Sequence, residues 1–186
     1  MVLPTFTANG IRVNPGALYV AQLLTAEPVG LTGAWPSGWA PIGLTDSGHT
    51  DTYNTSEANI DAAELLDPVL IVTTGRTMTV AFSALNVTAR LLILALNGGL
   101  VAPVTGTGFI TVTPPDLGAE ARVMMGWDAT DGKERKIWRK CVQSGSIALA
   151  RQKAPNKTVV PFSMSVEAPT DGSKPFVHLF ADSLAA

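Results

Sequence analysis

The chain is short of the residues that most chemistry depends on. Its 186 residues include one cysteine and two histidines. A single cysteine excludes an internal disulfide and any multi-cysteine zinc site. Charged residues make up only 15%, against roughly 25% in an average soluble domain. The net charge of −2 provides no global basic field to hold nucleic acid or an anionic membrane. The longest apolar run, Leu91 to Leu96, falls far short of the roughly 20 residues that span a bilayer. No charged segment followed by an apolar one opens the chain, so no signal peptide is expected. The Asn-x-Ser/Thr triplets at Asn54, Asn86 and Asn156 then read as chance matches in a threonine-rich chain.

What is abundant points to strands. Hydrophobic residues reach 46%, which excludes disorder for most of the chain. Threonine is frequent, and 17 glycines and 13 prolines punctuate the sequence as turns between strands do. The length suits one domain, or one domain with an arm. The spacing predicts strands over Gly16–Leu24 and Trp39–Leu44, then a turn at Asp46-Ser47-Gly48 and a return over His49–Asn54. Residues 55–66 read as an edge strand or an extended arm. Pro68 to Phe82 is the strongest strand, with Leu70, Val72, Met78, Val80 and Phe82 on one face and Thr73, Thr77 and Thr79 on the other. Gly75 in its middle signals a bulge or a bend.

One helix is expected over Ala84–Leu96, capped by Ser83, with Leu85, Ala89, Leu92 and Leu96 as its buried stripe and Asn97-Gly98-Gly99 as its stop. Residues 100–118 read as a Gly/Pro/Thr-rich insertion holding a short strand, Phe109 to Val112. The last third reads as antiparallel strands: Ala121–Trp127, a turn at Asp131-Gly132, Arg135–Val142, Ile147–Arg151, Thr158–Glu167 and Phe176–Phe180. Pro161, on the outward face, marks its strand as an edge.

No constellation carries catalysis. His49 lies beside Asp46 and Asp51, a cluster that could bind a cation but reads better as a solvated turn. His178 alternates with Phe176 and Phe180 and reads as structural. Cys141 sits among Lys136, Arg139 and Lys140, where positive charge could activate a thiol, yet no histidine or second cysteine lies nearby in sequence, so a half-buried structural thiol is expected. Asp128-Ala-Thr-Asp131-Gly132 lacks the distal glutamate of a calcium loop, and Gly106-Thr-Gly108 lacks the context of a P-loop. Lys133 to Lys140, with Trp127 and Trp138, is the one nucleic-acid candidate, weighed against a solvated hairpin. No enzyme activity, metal or cofactor is therefore expected. Charge is also unevenly placed. Residues 1–70 carry one basic residue against seven acids, and residues 121–157 carry nine basics against three acids. Opposite poles of this kind suit head-to-tail contacts between copies.

The ordered motifs resemble a known family. Gly16-Ala-Leu-Tyr-Val-Ala21, Gly38-Trp39-Ala-Pro-Ile-Gly43-Leu-Thr-Asp46-Ser-Gly48 and Glu64-Leu-Leu-Asp67-Pro68-Val69 follow one another as in the major tail protein, or tail tube protein, of long non-contractile-tailed bacteriophages of actinobacterial type. Thr74-Gly-Arg76-Thr-Met-Thr-Val80-Ala-Phe82, Leu92-Ile-Leu-Ala-Leu96-Asn-Gly98-Gly99, the strand around Trp138 and the Pro161-Phe162 strand continue the series. The resemblance covers roughly residues 15–167; residues 1–14, an N-terminal arm, and residues 100–118 match nothing in it.

The resemblance implies a mainly β fold, a β-sandwich or partly closed antiparallel barrel flanked by one α-helix, with an extended hairpin or arm for subunit contacts. It implies a virion structural protein forming stacked hexameric rings, a tail tube through which DNA passes without specific binding. Its partners would be further copies and the tape measure, initiator and terminator proteins, in the host cytoplasm during assembly and then in the virion tail. The hairpin from His49 through Phe82, and residues 45–66 as its arm, are the expected subunit contact. His49, Asp51, Tyr53, Glu57, Ile60, Glu64, Leu65 and Arg76 are its candidate residues, with Arg76 pairing an acid of the next subunit. The rival is a β-sandwich binding module for a receptor or carbohydrate, with Trp35 and Trp39 exposed on one face. A hydrolase using His49 or His178 is a further alternative.

Overall fold

The structure, a computed structural model, describes residues 15–61, 63, 67–151, 153 and 156–181. In chain order the strands are β1 (Gly16–Gln22), β2 (Ala40–Pro41), β3 (Thr45–Ile60), β4 (Leu70–Ala84), β5 (Leu100–Val104), β6 (Phe109–Thr113), β7 (Val123–Ala129), β8 (Glu134–Gln143), β9 (Val160–Val166) and β10 (Phe176–Phe180). One helix, α1 (Ala89–Ala95), lies between β4 and β5. The chain is thus mainly β with one helix, and its strand pairs are antiparallel. Two compact units form: residues 1–44, 122–141 and 168–186, and residues 45–121 and 142–167.

In the first unit β2, β1, β7 and β8 pair in that order, and β10 pairs with β8 off this path. The Asp131-Gly132 turn joins β7 to β8 as expected, with Gly132 at φ +66 and Asp128 opposite Arg135. Both faces of β7 are covered. Met124, Met125 and Trp127 are all buried, so its burial does not alternate as a half-exposed strand's would. Ala21, Trp39, Met124 and Ile137 form a core cluster, against which Tyr19, Trp35 and Val177 pack. Trp35 stacks on Tyr19 at 4.4 Å between ring centroids. Gly126 makes room for it: a Cβ there would run into the Trp35 and Trp39 rings. Of the expected Trp39–Leu44 strand, Ala40–Pro41 pairs with β1, and the Ile42 N–H adds a bond to the Leu18 carbonyl at 2.8 Å. The Trp39 indole N–H instead donates to the Ala26 carbonyl at 2.8 Å, which ties the segment into the preceding loop.

In the second unit β9, β4 and β3 pair in that order. Val80, Ala84, Val160 and Met164 are wholly buried, and Phe82 stacks on Phe162, its partner in register, at 4.6 Å. The side of β9 away from β4 is occupied: the Ser144 N–H donates to the Ser163 carbonyl at 2.7 Å. Pro161 therefore does not mark a free edge. Asp46-Ser47-Gly48 is not a turn. It lies inside β3, where two extra residues interrupt the pairing with β4 and Gly48 takes φ +80.

The helix is shorter than its pattern suggested. Ala84 ends β4 opposite Val160, and Thr88, not Ser83, is the cap, its side-chain oxygen accepting the Leu91 N–H at 3.3 Å. Leu91, Leu94 and Ala95 form the buried side rather than Leu85, Ala89, Leu92 and Leu96. Starting the helix five residues later leaves Leu85 outside it, and the neighbouring chain covers a different stripe. The stop is as expected. Asn97 adopts φ 58, and the Gly98 N–H reaches back to the Ile93 carbonyl at 2.8 Å, the closing bond of a Schellman cap. The Asn97 side chain is then fixed from both ends: its amide donates to the Gln143 carbonyl at 2.8 Å, and its oxygen accepts the Gln143 N–H at 2.6 Å. Residues 100–113 hold a two-stranded hairpin, β5–β6, rather than one short strand in loops. Ile147–Arg151 is not a strand, and Gly145 just before it takes φ +85.

Candidate functional site

The feature that stands out is the β3–β4 hairpin. Its strands pair from Thr45 opposite Ala84 out to Ile60 opposite Leu70. Among the described residues, β9 supports β4 only over Thr79–Ala84. The remaining nine residues of β4, Leu70 to Met78, and their partners on β3 form a two-stranded ribbon about 30 Å long at roughly 3.3 Å per residue. Isolated ribbons of this kind are marginal in water.

A second register shift, between Ser56 and Glu57, adds Thr74 to β4 with no partner on β3. The bulge that Gly75 signalled is therefore present, and it changes the faces. Directly opposed residues share a face. Nearer the core, Met78 opposes Tyr53, and Val80 opposes Asp51, on the core-facing side. β3 keeps its alternation, so beyond the bulge that same face carries Glu57 opposite Thr73 and Asn59 opposite Ile71. Val72 opposite Ala58 and Leu70 opposite Ile60 come to the reverse face. The expectation that Leu70 and Val72 share a face with Met78, Val80 and Phe82 is corrected by one inserted residue, because a single-residue slip inverts a strand's sides.

The candidate contact residues separate accordingly. His49, Asp51, Tyr53 and Glu57 lie on one face of β3, and Ile60 lies on the other. Arg76 opposes Thr55 on the face of Tyr53 and Met78. Glu64 and Leu65 lie outside the described residues. The ribbon is open to solvent and apolar toward its end: Ile60 is 50% exposed, Leu70 55% and Val72 39%. A monomer gains nothing from showing such side chains together. β5–β6 shows a second apolar surface that sequence reading missed, with Phe109 72% exposed and Leu100 and Ile110 also open. Its signal was the Ile-Thr-Val-Thr alternation that follows Gly108.

The nearest His49 and Asp51 atoms of opposite character lie 3.9 Å apart, and among the described residues no three His, Cys, Asp or Glu side chains could hold a metal ion. His178 Nε2 meets the Glu134 carboxylate at 2.6 Å across the β10–β8 pair. Cys141 is fully buried rather than half-buried. The middle of the basic stretch turns inward at Arg135 and Lys136, while Lys133 stays exposed and Arg139 and Lys140 are half-buried. Arg135 is 2% exposed and holds Asp128 through Nε at 3.2 Å and Nη2 at 2.7 Å. Lys136 is also buried, with its ammonium over the Trp138 and Phe176 rings. Arg139 is bound at both ends of its fork by Glu27. That hydrogen-bonded carboxylate raises the guanidinium pKa against the opposing pull of burial. Trp35 and Trp39 pack inward and present no aromatic platform. No helix among the described residues is long and apolar enough to cross a membrane.

Compared with protein-family profiles and with curated protein sequences, the chain matches none.

Proposed function

We propose that the chain is a self-assembling structural protein, and that its assembly is the tail tube of a long non-contractile-tailed bacteriophage. The observation that carries this reading is the β3–β4 ribbon, which runs past its last supporting strand with Ile60, Leu70 and Val72 open to solvent. An unsupported ribbon with a free strand edge and an apolar face is a liability in a lone molecule, and further copies would cover it. The ordered motifs from Gly16 to Phe162 supply the identity of the polymer: stacked hexameric rings around a channel for DNA. A chain with 15% charged residues and a net charge of −2 suits a conduit that must not grip phosphates. Further copies, a tape measure, an initiator and a terminator are the partners of this reading, and the virion tail is its place.

The binding-module alternative loses its intended platform, because Trp35 and Trp39 pack against Tyr19 and over Gly126. Negative-stain electron microscopy of concentrated protein tests the proposal. Rings or hollow tubes of uniform width are expected. Discrete trimers that never extend would refute it in favour of a receptor-binding module.

A further inference from the structure

The bulge at Thr74 does more than bend β4. Without it, Leu70 and Val72 would continue the face of Met78 and Val80, as their period-two spacing suggests. With it, they join Ala58 and Ile60 on the opposite face, while Glu57, Asn59, Ile71 and Thr73 take the core-side face. The ribbon is thereby amphipathic in the sense opposite to the rest of its own hairpin. Bulges that re-aim side chains behave as built features rather than faults.

Charge states what this face should meet. The second unit's segments, residues 45–121 and 142–167, carry five basic residues against nine acidic ones, a net of −4. The first unit's segments carry eight basic against six acidic, a net of +2. Exposed Glu57 lies in the ribbon, and exposed Asp61 and Asp67 follow and precede its two strands. Like units repel and unlike units attract, so the ribbon of one copy is directed to the first unit of another. A contact between unlike surfaces is heterologous and can repeat without closing.

The first unit offers an apolar feature at Leu23 and Leu24. Leu24 holds a left-handed backbone, φ 65, with its side chain 86% exposed. That conformation is strained for a leucine. Together with Leu23 and Met124 it borders a cleft of about 410 Å³. The charges on that cleft match in number, Arg139 and Lys140 against Glu27 and Asp171, so the local contact is apolar and the unit's net charge supplies orientation. We propose that the Thr74 bulge aims the Ala58, Ile60, Leu70 and Val72 face onto the Leu23–Leu24 cleft of a second copy, giving assembly its head-to-tail sense. This rests on the self-assembly reading above.

Leu70→Asp and Ile71→Asp test the aim in the full chain. Both positions are exposed to nearly the same degree, 55% and 56%, so neither change threatens folding. Leu70→Asp should raise the concentration needed for assembly by about tenfold or more, a loss of about 1.4 kcal/mol; Ile71→Asp should leave it close to wild type. In a second experiment, differently tagged Ile60→Cys and Leu24→Cys chains are mixed and treated with a short bismaleimide. The native Cys141 is buried and stays out of the reaction. Cross-linked pairs carrying both tags are expected. Equal loss of assembly in the two aspartate variants overturns the proposal, as does Ile60→Cys linking to itself in preference to Leu24→Cys; the self-assembly reading survives either result. Wild-type protein that stays monomeric in sedimentation at every concentration overturns both.

Discussion

Replacing Asp128 with alanine should damage the first unit far more than its partial exposure suggests. The Asp128 carboxylate accepts two bonds from the Arg135 guanidinium and one from the Trp35 indole N–H at 3.3 Å. Arg135 is 2% exposed in its side chain and Asp128 22%. The guanidinium's remaining arm donates to the Gly30 carbonyl at 2.8 Å, and its centre lies 5.0 Å from the Trp35 ring. Alanine at 128 leaves the buried cation with one neutral acceptor. Breaking one side of a buried pair costs about 3–5 kcal/mol, and the water that reaches Asp128 puts the expectation near the lower figure. For a chain of this length each kcal/mol moves the midpoint by about 2–4 °C, so Tm should fall on the order of 10 °C. Urea unfolding followed by tryptophan emission measures it, since Trp35 loses its hydrogen bond and cation contact in the same step. Arg135→Met placed in the Asp128→Ala background removes the stranded charge and should recover at least half of the loss. A loss under about 1 kcal/mol for Asp128→Ala, or no recovery in the double variant, refutes the view that burial of Arg135 depends on this carboxylate.

Other substitutions probe features that decide the local fold. Thr88→Ala removes the helix cap and should destabilise the second unit by about 1 kcal/mol, whereas Ser83→Ala should leave helix amide exchange unchanged, as read by hydrogen–deuterium exchange. Gly126→Ala forces a methyl against the Trp35 and Trp39 rings and should cost about 1–3 kcal/mol with a shift in tryptophan emission. Asn97→Ala loses both bonds to Gln143 and a residue that tolerates the left-handed backbone, for about 2 kcal/mol by denaturant midpoint. In native-state exchange, amides of β4 near Val80 should be the slowest of the hairpin in unassembled protein, and those of Leu70–Thr77 the fastest.

Sequence alone carried the strands whose two faces see different surroundings. The Phe162 and Met164 alternation, the Phe82 strand and the Asp131-Gly132 turn all reappear because period-two burial and a positive-φ turn are local signals. The hairpin was legible as a long apolar-then-polar pair, and Gly75 announced its bulge. The direction of the bulge was not legible, since which strand holds the extra residue is settled by pairing across the ladder. The separation of Ile60 from His49, Asp51, Tyr53 and Glu57 was legible, because β3 keeps its alternation and Ile60 alone stands at an even position. The inward turn of the basic stretch had a readable clue: the turn at residues 131–132 places Asp128 opposite Arg135, and a carboxylate in that register can accompany an arginine into the interior. Trp35 and Trp39 were misread because the loop that holds them packs on Gly126, far along the chain. The helix start moved because Ala84 had a strand partner in Val160, and a ladder bond outranks a weak helical preference.

The chain's one thiol has a use that follows from its position. Cys141 is wholly buried on β8. A thiol reagent can reach it only when that strand leaves its place. Its labelling rate therefore counts openings of β8 directly, with no engineered probe and no competing site to subtract. Run in dilute and in assembled protein, the same reaction becomes a clock for how far polymerisation slows the breathing of the subunit's interior.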